Sequence, residues 1–269
     1  TPATFGRIAA QTAKQIVVQK IREAERGIIY DRYQERENEL LTGVVHIAER
    51  GSYYLELDKA EGILPGNETI PGETYEINKR IKVYVLEVRK TAKGPQIVVS
   101  RSHPGLVKRL FELEVPEISA NVVSIKAIAR EAGHRSKIAV HSEDDNIDPV
   151  GACVGPKGSR IERVVDELNG ERIDVIPWSS DPNTFIANAL RPAKVVMVQV
   201  NESEKAAKVI VPDYQLSLAI GKEGQNARLA AKLTGYKIDI KSQSQIVDDL
   251  FGALPEDDEE DFDVNYEEK

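Results

Sequence analysis

Two copies of one glycine-containing unit constrain the fold of this chain more than any other feature. The first glycine loop spans 155–158 and reads GPKG; the second spans 221–224, 66 positions later, and reads GKEG. In each copy, apolar residues at helical spacing come before and after the loop, and Gly170 or Gly235 ends the second helix before an alternating strand. A lone Gly-x-x-Gly match would be weak, but the repeat of the whole unit predicts two copies of one supersecondary structure.

The residue types in these loops are suited to binding a sugar-phosphate backbone. Glycines at both ends allow another backbone to approach closely, the following helix offers free N–H groups, and Lys157 and Arg160 add positive charge. The candidate RNA-binding residues here are Gly155, Pro156, Lys157, Gly158, Ser159, Arg160, Gly221, Lys222, Glu223, Gly224, Gln225, Asn226 and Arg228. Neither loop ends in the Gly-Lys-Ser/Thr of a phosphate-binding P-loop, so nucleotide hydrolysis is not indicated.

The first hundred residues follow two other patterns. An apolar stripe at three-and-four spacing predicts one long helix from Phe5 to about Tyr33. Five short strands are then predicted near 41–47, 53–57, 62–64, 80–88 and 96–100. Five short strands in some sixty residues suggest a small closed barrel.

On this barrel, strand alternation places the side chains of Tyr54, Lys82 and Tyr84 outside. Tyrosines near a lysine could stack on the bases of a single strand. Core packing or incidental exposure is the alternative, because a register slip of one residue exchanges the two faces of a strand.

Charge is distributed unevenly along the chain. The net charge is −8, yet residues 248–269 hold eleven acidic residues and one lysine, which leaves the preceding 247 residues at +2. The acidic tail is predicted to be disordered, and it is either a solvated linker or a competitor of RNA for the basic loops. Because the chain starts at Thr1 rather than at methionine, we expect it to be a piece of a longer protein.

The glycine-loop units resemble type II KH domains, and longer stretches are similar to one bacterial family. The strings GPQIVVSRSHPGLVKRLFELEVPEI, AREAGHRSKIAVHSED, IDPVGACVGPKGSRI and AIGKEGQNARLAAKLTG resemble the NusA family of transcription elongation, termination and antitermination factors. The resemblance implies that an OB barrel of the ribosomal protein S-one type and both KH domains bind RNA. It also implies RNA polymerase as a partner, through a missing N-terminal head and with the linker helix as a second candidate contact, and it allows contacts with other antitermination factors.

The sequence therefore predicts a multi-domain α/β chain that binds single-stranded nascent RNA without catalysing a reaction. The predicted parts are a linker helix over 1–37, an OB-fold barrel over 38–102, type II KH domains over 103–178 and 179–247, and a disordered acidic tail over 248–269. The RNA-binding portion of an RNA-processing enzyme is the alternative. No catalytic residues, cofactor or metal ligands are predicted, and a single cysteine and the lack of a membrane-spanning run suggest a cytoplasmic monomer.

Overall fold

The computed structural model describes residues 2–92 and 94–251, and the side chains of 9–92 and 94–247. The chain divides into two compact units, one ending at Ser180 and the other beginning at Asp181. Residues 248–251 of the predicted disordered tail are helical, so the prediction is wrong for them. The residues from 252 onward lie outside the described residues, and their predicted disorder stays a prediction.

The predicted long helix is present as α1, which spans Pro2–Gln34. Its C-terminal part packs on the barrel: Tyr33 is 2% exposed and belongs to the barrel core, with Ile29 and Tyr30 packed against the same core. Arg26 Nη1 also donates a hydrogen bond to the Ala92 carbonyl at 3.3 Å. None of the helices in the described part of the chain has the length and apolarity that crossing a membrane would require.

A closed five-stranded barrel follows the helix. Its strands are β1 Leu40–Glu49, β2 Ser52–Leu57, β3 Ala60–Leu64, β4 Arg80–Thr91 and β5 Gly94–Ser100, in the order β1-β2-β3-β5-β4. Strands β3 and β5 are parallel, and the other neighbouring pairs are antiparallel. The predicted inward face is confirmed, since Leu55, Ile81 and Val83 are all buried in the barrel core.

The first glycine-loop module completes the first unit. It consists of α2 Pro104–Glu114, α3 Pro116–Ser119, β6 Val123–Glu131, β7 Arg135–Ser142, α4 Pro149–Val154, α5 Ser159–Glu167 and β8 Arg172–Pro177. In its sheet, β7 lies between an antiparallel β6 and a parallel β8. The first glycine loop joins α4 to α5, as predicted.

The second unit repeats this arrangement. It consists of α6 Pro182–Ala189, β9 Met197–Asn201, β10 Ala206–Val211, α7 Leu216–Ile220, α8 Gln225–Thr234, β11 Lys237–Ser242 and α9 Gln243–Phe251. Strand β10 again lies between an antiparallel and a parallel neighbour. Before β9, the Lys194 N–H donates to Gln215 Oε1 at 3.1 Å, and the Val196 N–H donates to the Ile210 carbonyl on β10 at 2.9 Å.

A buried arginine network joins the barrel to the first module. Arg101 is 1% exposed, and its guanidinium donates hydrogen bonds to both carboxylate oxygens of Glu73. It also donates to two atoms of Glu167 on α5, to Oε1 at 3.0 Å and to the carbonyl oxygen at 2.8 Å. Its Nη1 also donates to the Lys82 carbonyl at 2.8 Å. Burial alone would lower the pKa of Arg101, but Glu73 and Glu167 raise it above its ordinary value. The charged Arg101 network therefore connects the barrel to the helix that follows the first glycine loop.

Candidate nucleic-acid interface

The two glycine loops have the same backbone conformation. The first glycines, Gly155 and Gly221, have φ/ψ of 73°/174° and 76°/172°, and the last, Gly158 and Gly224, have 81°/5° and 74°/12°. The third residues, Lys157 and Glu223, both lie in the left-handed region, at 53°/27° and 52°/27°. Non-glycine residues adopt this region only at a cost, and such strain concentrates at functional sites.

The first glycine of each loop is required by close packing. A Cβ atom on Gly155 would lie 2.6 Å from Arg160 Cγ, and one on Gly221 would lie 2.8 Å from Asn226 Cβ. In both modules the residue five positions after the glycine therefore packs directly over it. Any larger residue would push this side chain away and open the loop.

That packing residue also ties the loop to its surroundings. Arg160 Nη1 donates to the Ala152 carbonyl at 2.6 Å and to Glu117 Oε2 at 2.8 Å. Asn226 is 2% exposed, and its Nδ2 donates to the carbonyls of Leu190 and Ala219, both at 3.0 Å. The prediction that Asn226 contacts RNA is therefore corrected, because its amide is buried and fixes the loop from inside.

The remaining loop side chains face solvent, as a binding surface requires. The exposed members are Pro156, Lys157, Ser159, Lys222, Glu223 and Arg228, and Gln225 is half-buried. Neither Lys157 nor Lys222 forms an ion pair with a described residue, and Arg228 Nη1 donates to the Glu223 carbonyl at 3.1 Å. Both loops thus present an exposed ammonium group, with one carboxylate near each: Glu162 at the first loop and Glu223 at the second, where Arg228 adds a further cation.

The predicted stacking surface on the barrel is only partly correct. Tyr84 and Lys82 do point away from the barrel core, but the first module covers them. Tyr84 is 7% exposed, its ring lies 4.8 Å from the His103 ring, and its hydroxyl donates to Asn38 Oδ1 at 2.9 Å. Lys82 Nζ pairs with Glu167 Oε2 at 2.7 Å. Strand alternation correctly predicted that Lys82 and Tyr84 point away from the barrel core. It could not show that the first module packs against them.

Tyr54 is half-buried on the outer surface of the barrel, directly opposite Ile63. Its neighbours are unfavourable for RNA, because Glu56 and Glu61 are paired across β2 and β3 and both are exposed. Like-charged carboxylates on this surface repel a phosphate backbone. The outer face of β2 and β3 is therefore a poorer candidate for RNA than the glycine loops.

Three exposed apolar residues beside the second loop were missed by the sequence analysis. Tyr214 is 77% exposed, Leu218 44% and Ile220 38%. All three residues lie in the string YQLSLAI, shortly after Pro212. They were not predicted because apolar periodicity alone does not distinguish an exposed helix face from a buried one. Cys153, the single cysteine, is buried in the first module, and this burial raises the pKa of its thiol to about 12.

A closed S1-type barrel followed by two modules with matching Gly-x-x-Gly loops defines a multi-domain RNA-binding protein. Family models match the chain in the same order: the NusA N-terminal domain over 1–27, the S1 RNA binding domain over 34–100, the NusA-like first KH domain over 101–178 and the NusA-like second KH domain over 182–248. The chain belongs to the NusA family.

Known relatives agree with this assignment. The transcription termination/antitermination protein NusA of Halalkalibacterium halodurans is 63% identical over 91% of this chain and 64% of its own length. The protein of the same name from Bacillus subtilis is 60% identical over 97% of this chain and 70% of its own length. The crystal structure of APE1850 aligns with 50% of this chain and 95% of its own at 26% identity, but its TM-score of 0.38 is too low to support further conclusions.

The chain spans about two thirds of the length of these relatives. The matched models describe NusA and RNA-binding domains rather than catalytic ones. The alternative prediction of an RNA-processing enzyme is therefore not supported.

Proposed function

We propose that this chain is the RNA-binding part of a non-catalytic transcription factor that binds single-stranded nascent RNA through its two glycine loops. The observation that carries the proposal is the shared loop conformation, in which the first glycine is packed and the third residue is left-handed. Lys157 and Lys222 are exposed in these loops and form no ion pair with a residue that the structure describes. Loops of this kind clamp about four backbone nucleotides in KH domains.

The proposed partner of the bound complex is RNA polymerase, and the proposed outcome is control of pausing, termination and antitermination. Support comes from the names of the relatives, which are termination/antitermination proteins. The N-terminal part of α1, which matches the NusA N-terminal domain, exposes Ile16, Val17 and Ile21 and is a candidate contact with that domain or with polymerase. A protein with these partners acts in the bacterial cytoplasm.

The barrel contributes less to RNA binding in this proposal than the two modules do. Lys82 and Tyr84 are occupied by the packing against the first module, and the exposed Glu56 and Glu61 lie beside Tyr54. Its main role is to hold the first module through the Arg101 network.

The test is a titration of an unstructured RNA oligomer of about twelve nucleotides, followed by fluorescence anisotropy. Lys157→Glu and Lys222→Glu each place a carboxylate where a phosphate should bind, and both side chains are exposed, so folding should be unchanged. Lys14→Glu on α1 makes the same change in net charge at an exposed residue that belongs to neither loop, and it is the matched control.

We expect both loop variants to bind more weakly than the Lys14→Glu control at every salt concentration. Each should also have a shallower salt dependence, because one fewer phosphate is neutralised. Equal affinity of all three variants, with matched circular dichroism spectra, would refute a role for the loops in RNA binding.

A further inference from the structure

An exposed apolar surface leads from the end of β10 to the second glycine loop. Tyr214 and Leu218 are four positions apart on a nearly continuous helical path, a 3-10 turn over Asp213–Gln215 followed by α7, so their side chains share one face. Gly221 follows directly at the end of α7. Tyrosine normally buries most of its ring, and Tyr214 leaves 77% of its surface in solvent.

The backbone on both sides of Tyr214 is anchored. Asp213 Oδ1 accepts hydrogen bonds from the Ser244 N–H at 3.1 Å and from Ser244 Oγ at 2.7 Å. Gln215 Oε1 accepts from the Lys194 N–H at 3.1 Å. Tyr214 itself makes no hydrogen bond or ring contact with a described residue. The ring is therefore presented to solvent from a fixed turn, which lowers the entropy cost of binding a ligand there.

The first module has no counterpart to this surface. Sixty-six positions earlier, Tyr214 is replaced by Asp148 and Leu218 by Ala152. Asp148 Oδ1 caps α4 by accepting from the Val150 N–H at 3.0 Å, and Ala152 is half-buried. The first module thus offers a smaller apolar surface beside its loop lysine, and the Glu162 carboxylate lies 3.6 Å from the Cβ position of the adjacent Gly158.

The second module differs from the first because a tyrosine and a leucine stand exposed beside its loop, together with the cations Lys222 and Arg228. We propose that Tyr214 stacks on an unpaired base of the bound RNA, so that the second module adds a base contact, which the first module lacks, to the phosphate contacts of its loop. This inference rests on the proposed function. Tyr214 lies seven residues before Gly221, roughly 10 Å along the helical path, which is within two or three nucleotides of a backbone held by the loop.

The experiment compares Tyr214→Ala and Tyr214→Phe in the full chain, with Leu113→Ala as the matched control. Leu113 is 58% exposed on α2 and lies in the first unit, so its removal reports any general effect of losing surface apolar area. The ligands are an unstructured RNA of about twelve nucleotides and a set of the same RNA in which one base at a time is removed to leave an abasic sugar. Affinities are measured over a range of salt concentrations.

We expect Tyr214→Ala to weaken binding of the intact RNA by roughly 5- to 160-fold, the range found for base–aromatic stacking. Tyr214→Phe should bind as the wild type does, and the salt dependence should not change, because tyrosine neutralises no phosphate. One abasic position should weaken the wild type but not Tyr214→Ala, and that position identifies the stacked base.

Two results would overturn the stacking proposal while leaving the proposed function intact. One is equal, salt-dependent binding of intact RNA by wild type and Tyr214→Ala. The other is an equal loss in Tyr214→Phe and Tyr214→Ala, since the phenyl ring keeps the stacking face. A wild-type chain that binds no RNA at all would instead refute the proposed function, and the stacking proposal with it.

Discussion

The Arg101 network allows a quantitative prediction about how firmly the barrel holds the first module. Arg101→Met removes a guanidinium that is 1% exposed and leaves the carboxylates of Glu73 and Glu167 without it. Breaking a buried ion pair in this way costs about 3–5 kcal/mol. Each carboxylate keeps one partner, Tyr75 Oη at 2.7 Å from Glu73 and Lys82 Nζ at 2.7 Å from Glu167, so we expect a value near the lower end, about 3 kcal/mol.

The assay is urea denaturation followed by the fluorescence of Trp178. This is the only tryptophan in the chain, it lies in the first unit, and its ring centroid is 5.1 Å from that of His141. A loss of about 3 kcal/mol lowers the equilibrium constant for folding roughly 100-fold. The control is Arg89→Met, whose partner Glu87 is exposed, so its loss should cost less than about 1 kcal/mol.

Adding Glu73→Gln and Glu167→Gln to Arg101→Met should recover part of the lost stability, because the buried carboxylate charges are then gone as well. A stability of Arg101→Met within about 0.5 kcal/mol of the wild type would contradict this account of the interface.

Two further predictions concern the second loop and the junction between the domains. Glu223→Lys should raise the RNA affinity and steepen the slope of log K against log salt concentration by about 0.7, because one more phosphate is neutralised. The loop should keep its conformation, since Lys157 already adopts the same left-handed backbone angles. Anisotropy titrations that do not differ from those of the wild type would contradict a phosphate near this position. His103 Nδ1 accepts the Gly105 N–H at 3.0 Å, and burial, opposed by Glu68 and reinforced by Arg130, lowers the pKa of His103. The neutral His103 side chain therefore contributes its full share to the free energy of unfolding above about pH 6.5, the pKa of an unfolded histidine. This contribution is lost as the pH falls from there toward the lower pKa of the folded state. His103→Asn keeps an oxygen that can cap the helix but does not titrate. Between pH 7 and 5 the variant should therefore lose less free energy of unfolding, measured by urea denaturation, than the wild type does. If the free energies of unfolding of the two proteins fall in parallel with pH, His103 does not have this role.

The sequence predicted those parts of the molecule that depend on local pattern. The two glycine loops, the order of elements around them and the barrel strands follow from glycine positions and from periods of 3.6 and 2, which involve residues close in sequence. The repeat made the interpretation firm, because one copy supports the other. Lys157 and Lys222 are exposed in loops of the same conformation, as a backbone-binding role requires.

Contacts between distant segments were not predictable in the same way. The alternation of side chains along the strand correctly predicted that Tyr84 points away from the barrel core. The residues near it in sequence do not indicate that its ring packs against His103 and α2. Arg101 reads as a polar linker residue, yet it is almost completely buried because Glu73 and Glu167 surround it. Asn226 follows a binding loop in sequence and is nevertheless held inside by two carbonyls.

We expect RNA to lie along the glycine loops rather than on the outer face of the barrel. Photo-crosslinking of the chain to an RNA oligomer containing 4-thiouridine, with the crosslinked peptides identified by mass spectrometry, tests this most directly. We expect crosslinks in the peptides that contain 155–160 and 214–225, and their loss from the first of these in Lys157→Glu. Crosslinks confined to β2 and β3 around Tyr54, with none in either loop peptide, would contradict the account.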